Sequence, residues 1–127
     1  MGDPILPTAR TISRVTPSLA EQRCQVCTPD TPTLSRIRAA ELLNQVSGWG
    51  LTDIEGRAAI TKTLEFKGFM PGVDLINRIA KIAEEEGHHP DLHLSYGRLK
   101  VDLTTHAAGG LTDNDFILAA KIDRIQA

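Results

Sequence analysis

The sequence predicts an α+β domain: a four-stranded antiparallel sheet with three helices packed on one face, in the order α-β-β-α-β-β-α. Three observations carry this. Apolar residues recur at helical spacing in three separate stretches. Between them lie paired stretches of alternating polarity, each pair joined by a Gly-containing turn. The chain has 127 residues, one domain by size. Helices on one side of a small antiparallel sheet are the simplest packing of such elements.

Residues 1–30 come first and show no sustained periodicity. Five of the seven prolines fall at or before residue 32. This stretch reads as a flexible arm, with the folded domain over 31–127. It carries Cys24-Gln25-Val26-Cys27, a lone C-x-x-C. That is half of a zinc site and a weak redox signal, so a plain pair of thiols and a local metal clip or disulfide both stay open.

Thr33 is the expected N-cap of the first helix. Leu34, Ile37, Leu42, Leu43 and Val46 form its stripe, and Gly48 stops it. A short strand follows near Trp49–Thr52, then turn chemistry from Asp53 to Gly56. From Arg57 to Lys67 the residues alternate, as in a half-buried strand. Pro71-Gly72 opens the second helix, with Val73, Ile76, Ile79, Ala80 and Ala83 on one face. Glu84-Glu85-Glu86 ends it, where the helix dipole disfavours negative charge slightly. Gly87 is a natural terminator. Leu92, Leu94 and Tyr96 share one parity of the next strand. After a turn at Gly97, Leu99, Val101 and Leu103 face the core. Thr112 followed by Asp115 reads as a capping-box variant opening the last helix.

Bulk properties narrow the function classes. The net charge is −2 and aromatics are 4% of the chain. That argues against nucleic-acid binding through a basic face, which works by neutralising phosphates. No apolar run approaches the roughly 18 residues of a membrane span. The expected location is cytoplasmic. Arg10, Arg14 and several Ser and Thr near the start faintly resemble an organellar transit peptide, the alternative.

Three of the four histidines, His88, His89 and His93, lie within six residues, and His106 ends the following strand. A hairpin centred near Gly97 folds His106 back toward residues 88–90. Spacing alone therefore predicts a cluster of His88, His89 and His106. One use is metal binding, but Pro90 breaks the helix that a His89-x-x-x-His93 ligand pair would need. The other is acid–base chemistry, since imidazole titrates near neutral pH. His93 does not converge with the others and fits a surface or interface role.

The stretch Glu84-Glu85-Glu86-Gly87-His88-His89-Pro90, then Tyr96, Thr105-His106, Gly110-Leu111-Thr112 and Asp115, resembles the signature of the pterin-4a-carbinolamine dehydratases. Gly48-Trp49 and Glu65-Phe66-Lys67-Gly68-Phe69 are also similar to the family, so the resemblance spans about residues 33–125. It implies loss of water from 4a-hydroxytetrahydropterin to give quinonoid dihydropterin, with no bound cofactor and no metal. By resemblance His88 and His106 are the proton-transfer residues, with His89 a third catalytic candidate. Glu84 is expected to tune or orient a histidine, Pro90 to fix the loop, and Thr104 and Thr105 to contact the pterin. Trp49 is a candidate pocket wall. The family also implies a homodimer or homotetramer. The segment Pro90-Asp91-Leu92-His93-Leu94 departs from the commoner form of the family and leaves the pterin preference open.

Two other readings compete. One is a non-catalytic binding module on the same fold, like the family's transcriptional dimerisation cofactor or dehydratase-like Rubisco assembly chaperones. Such a module has no need of the histidines that this chain keeps. The other is a small metalloprotein built on the histidines with Cys24 and Cys27.

Overall fold

The computed structural model describes residues 18–126. The expected element order is present: α1 (Arg36–Leu43), β1 (Gly50–Ile54), β2 (Arg57–Glu65), α2 (Met70–Glu86), β3 (Asp91–Ser95), β4 (Arg98–Leu103) and α3 (Asp113–Gln126). The strands form one antiparallel sheet in the spatial order β1-β2-β4-β3. Each hairpin is tight. Glu55 (φ 52°) and Gly56 (φ 82°) join β1 to β2, with Ile54 paired to Arg57. Two consecutive residues at positive φ match the twist of the strands they link.

The core lies between the sheet and the helices. Leu99, Val101 and Leu103 of β4 are fully buried, as are Ile79 of α2 and Phe116, Leu118 and Ile122 of α3. Each such side chain contributes about 1.5–3 kcal/mol by leaving water, before entropy is counted. Close approach of α2 to β3 depends on Gly72. A Cβ there would lie 2.5 Å from Leu94 Cδ1.

Several expectations shift. α1 starts at Arg36 because Ser35, not Thr33, is its cap, its hydroxyl accepting from Arg38 N–H. Thr33 and Leu34 are held extended instead, since Leu34 N–H donates to Leu111 C=O at 2.8 Å. Ile37 consequently points outward, 75% exposed. β2 ends at Glu65, two residues early. Tyr96 belongs to the β3–β4 turn and is exposed rather than part of the core stripe. Ala80 is also exposed, because the inner line of α2 runs through Gly72, Leu75, Ile79 and Ala83.

The arm expected over 1–30 falls only in part among the described residues. Residues 1–17 lie outside the described residues, as does most of the stretch resembling a transit peptide. Residues 18–27 make specific contacts with the domain. Leu19, in a single turn of 3-10 helix (Leu19–Glu21), is buried in the core cluster. Lys121 Nζ donates to Ala20 C=O at 2.8 Å. Among the described residues no helix is long and apolar enough to cross a membrane.

Candidate active site

The C-terminus of α2 delivers the histidine pair. Gly87 takes the left-handed conformation (φ 67°, ψ 26°) and its N–H returns to Ala83 C=O. This ends the helix and turns His88 inward. From the other side, β4 ends at Leu103 and hands Thr104, Thr105 and His106 to the same region. The β3–β4 hairpin brings these ends together, as the spacing predicts. His88, His89 and His106 line one cavity of about 320 Å³. That is at the small end of the usual range for ligand sites. Thr104 and Thr105 line it too, and so does Asn114.

The three imidazoles sit in different surroundings. His88 is 9% exposed, and its Nε2 lies 2.6 Å from Asp115 Oδ1. Asp115 is fully buried. Its second oxygen, Oδ2, accepts from Thr105 Oγ1 at 2.9 Å and from Thr112 N–H at 3.0 Å. Thr105 and Thr112 hydroxyls are themselves 2.8 Å apart. One buried carboxylate thus caps α3 and grips both the α2 end and the β4 end. A buried carboxylate is stable only when so fully paired. It also selects the His88 tautomer. Against an ionised carboxylate Nε2 is the donor, which makes Nδ1 the acceptor of the neutral ring.

His89 is more open. Its Nε2 lies 2.5 Å from Glu84 Oε2, in a pair whose side chains are 58% and 77% exposed. His106 is also exposed, its Nε2 4.0 Å from Asp91 Oδ2.

The remaining candidates divide. Thr104 Oγ1 donates to Ala58 C=O at 2.7 Å, which fixes its rotamer at the cavity wall. Glu84 touches His89 but is not in the lining, and Pro90, half-buried, links the pair to β3 without lining it. Trp49 is not brought to the histidines. It is buried in the core, with its indole N–H donating to Asp123 Oδ1 at 3.0 Å and Lys62 Nζ 6.0 Å from its ring centre. A buried indole needs one acceptor, and α3 supplies it, so Trp49 stands apart from the cavity that the histidines line. His93 stays apart, 3.4 Å from Asp102 Oδ2 on the sheet.

Two contributors escape the sequence reading. Asp115 is visible there as a helix cap and a position of the family signature, but spacing cannot show that its other oxygen reaches back to His88. Gln25, Val26 and Cys27 also line the cavity, although their stretch reads as an arm. Cys24 and Cys27 are free thiols. Burial, reinforced by the Glu86 carboxylate, pushes the Cys24 thiol up to about 12, so it stays protonated at neutral pH. Among the described residues no group of three or more His, Cys, Asp or Glu is arranged to hold a metal ion.

Comparison with known proteins bears on this geometry. The family model for Pterin 4 alpha carbinolamine dehydratase matches residues 32–125. The chain is 43% identical over 114 residues to the mitochondrial pterin-4-alpha-carbinolamine dehydratase 2 of Arabidopsis thaliana, covering 86% of this chain and 61% of that protein. A Gloeobacter violaceus relative assigned to the same dehydratase is 40% identical, with 87% of this chain and 95% of the relative covered. The crystal structure of a transcriptional coactivator/pterin dehydratase from Brucella melitensis superimposes with a TM-score of 0.68 at 32% identity, over 76% of this chain and all of that one.

Proposed function

Because this chain belongs to the pterin-4a-carbinolamine dehydratase family, we propose that its activity, a hydro-lyase reaction on a reduced pterin, is carried by His88, His89 and His106. The substrate loses the hydroxyl from C4a and the proton from N5. The products are quinonoid dihydropterin and one water. An acid must protonate the departing hydroxyl, and a base must take the N5 proton, so two proton-transfer groups have to face one bound ring.

The observation that carries this reading is the convergence of the three imidazoles on one cavity. His88, whose Nε2 is committed to Asp115, works through Nδ1. His106 comes from the opposite wall and is the second proton-transfer residue. His89 orients the pterin or substitutes as acid or base, and Glu84 holds its ring. Thr104 and Thr105 supply fixed hydroxyl dipoles at the floor. No step calls for electron transfer.

The binding-module reading has the Brucella coactivator/dehydratase behind it. It coexists with catalysis and explains none of the histidine geometry. Among the described residues, β1 and β3 are the open edges of the sheet. Unpaired strand edges invite pairing with another copy, which supports a homodimer or homotetramer that light scattering of the purified protein measures.

The test is direct. Freshly generated 4a-hydroxytetrahydropterin is followed by absorbance with and without the protein. His88→Ala and His106→Ala are expected to lower the rate by about a hundredfold or more. Wild-type rates from either variant overturn its assigned role.

A further inference from the structure

The segment Arg23–Cys27 lies N-terminal to the region that the family model matches, yet its residues Gln25, Val26 and Cys27 line the cavity. It is held there by a clamp on two helix ends. Glu86, the last residue of α2, accepts Cys24 N–H at 2.9 Å and pairs with Arg23 Nε at 2.9 Å. Asn114, in the first turn of α3, is only 4% exposed. Its side chain meets the backbone of Gln25 twice: Oδ1 accepts Gln25 N–H at 2.8 Å, and Nδ2 donates to Gln25 C=O at 2.7 Å. Nδ2 also lies 3.2 Å from Cys27 Sγ. The clamped helix ends are the ones that carry His88 and its partner Asp115.

What the clamp presents is Val26. Residues on both sides of it are tied down, while Val26 itself is 93% exposed and lines the cavity. The rest of the wall is mostly polar: three imidazoles, two threonine hydroxyls and two amides, with Gly87, Ala107 and Cys27 the small exceptions. A pterin has polar edges and flat apolar faces. The polar groups suit its edges, and Val26 is the largest aliphatic group available to a face. Tying the backbone down beforehand removes the ordering cost from binding.

We propose that Arg23–Cys27 is a substrate-binding strap, in which Glu86 and Asn114 hold Val26 as the apolar wall against the reduced pterin ring. The proposal rests on the dehydratase reading above. The strap contributes binding and leaves the proton transfers to the histidines, so its loss appears in KM rather than kcat.

The experiment compares the full-length wild type with Val26→Ala, Val26→Asp and Asn114→Ala. The readouts are steady-state dehydration of 4a-hydroxytetrahydropterin and affinity for the stable analogue 7,8-dihydropterin. Val26→Ala is expected to raise KM and the analogue Kd about threefold, and Val26→Asp about tenfold, with kcat within about twofold. Asn114→Ala is expected to weaken binding at least as much and to speed amide exchange at residues 24–27. Because Val26 is exposed, its variants fold even if Asn114→Ala does not, and they then decide the matter. Wild-type KM and Kd in both Val26 variants overturn the strap. If the wild type does not accelerate dehydration, the activity reading fails instead, and the dihydropterin affinities alone decide the strap.

Discussion

His88 and His89 are neighbours in sequence and opposites in surroundings. His88 is 9% exposed against a carboxylate with no exposure at all. His89 stands in water against Glu84, itself largely exposed. Gly87 makes the difference, because its left-handed turn points one ring into the core and leaves the next outside. The same chemical pair, imidazole and carboxylate, therefore does two jobs. The buried one is architecture as much as chemistry, since Asp115 joins α2, β4 and α3. The exposed one is held weakly, because solvent and salt screen it.

The comparison can be broken most decisively at Asp115. Asp115→Ala removes the acceptor for the His88 ring, the Thr105 hydroxyl and the Thr112 amide together. The expected loss is about 3–5 kcal/mol of folding stability, measured by urea unfolding, and most of the activity with it. An Asp115→Ala protein as stable as wild type would show that this network holds nothing.

On the exposed side the effects should be smaller. His89→Ala is expected to lower activity about tenfold, the equivalent of one modest hydrogen bond to substrate. Glu84→Gln should change stability by less than about 1 kcal/mol and activity by less than about fivefold. A Glu84→Gln loss as large as that of Asp115→Ala would erase the distinction between the two pairs.

The smallest effect concerns acid. Burial pushes Glu86 up, but the Cys24 N–H, Arg23 and Lys121 outweigh it and hold the carboxyl below its ordinary value of 4.5. A carboxyl depressed by folding stabilises the folded state above its unfolded value, and that contribution disappears as pH falls through the folded value. Protection of the Cys24 amide against hydrogen exchange, corrected for intrinsic rate, should thus hold above 4.5 and fail below it.

Much of this molecule was legible beforehand. The strands β2 and β4, the helix α2, the Gly87 stop and the Thr112–Asp115 cap follow from short-range patterns, and each element is present, although neither strand alternates cleanly in burial. The convergence of His88, His89 and His106 followed from one hairpin and two strands of matched length. The start of α1 was misplaced because Leu34 pairs with Leu111, a contact far away in sequence. The place of Trp49 in the core was not legible because its acceptor, Asp123, lies on α3. The Glu84-Glu85-Glu86 run read as a slight penalty, yet Glu86 falls on the inner line of α2 and anchors the strap.

By itself, then, the sequence determined the element order, the sheet hairpins, the histidine cluster and the family. These depend on periodicity, turn chemistry and motif spacing, all of which act over a few residues or one hairpin. Only the tertiary structure decided which histidine is buried, that Asp115 serves His88 as well as α3, and that residues 25–27 line the cavity. Each of these rests on hydrogen bonds between groups 27 to 90 positions apart. A buried carboxylate or amide takes whatever partners the packed helices bring to it, and that choice is made in space.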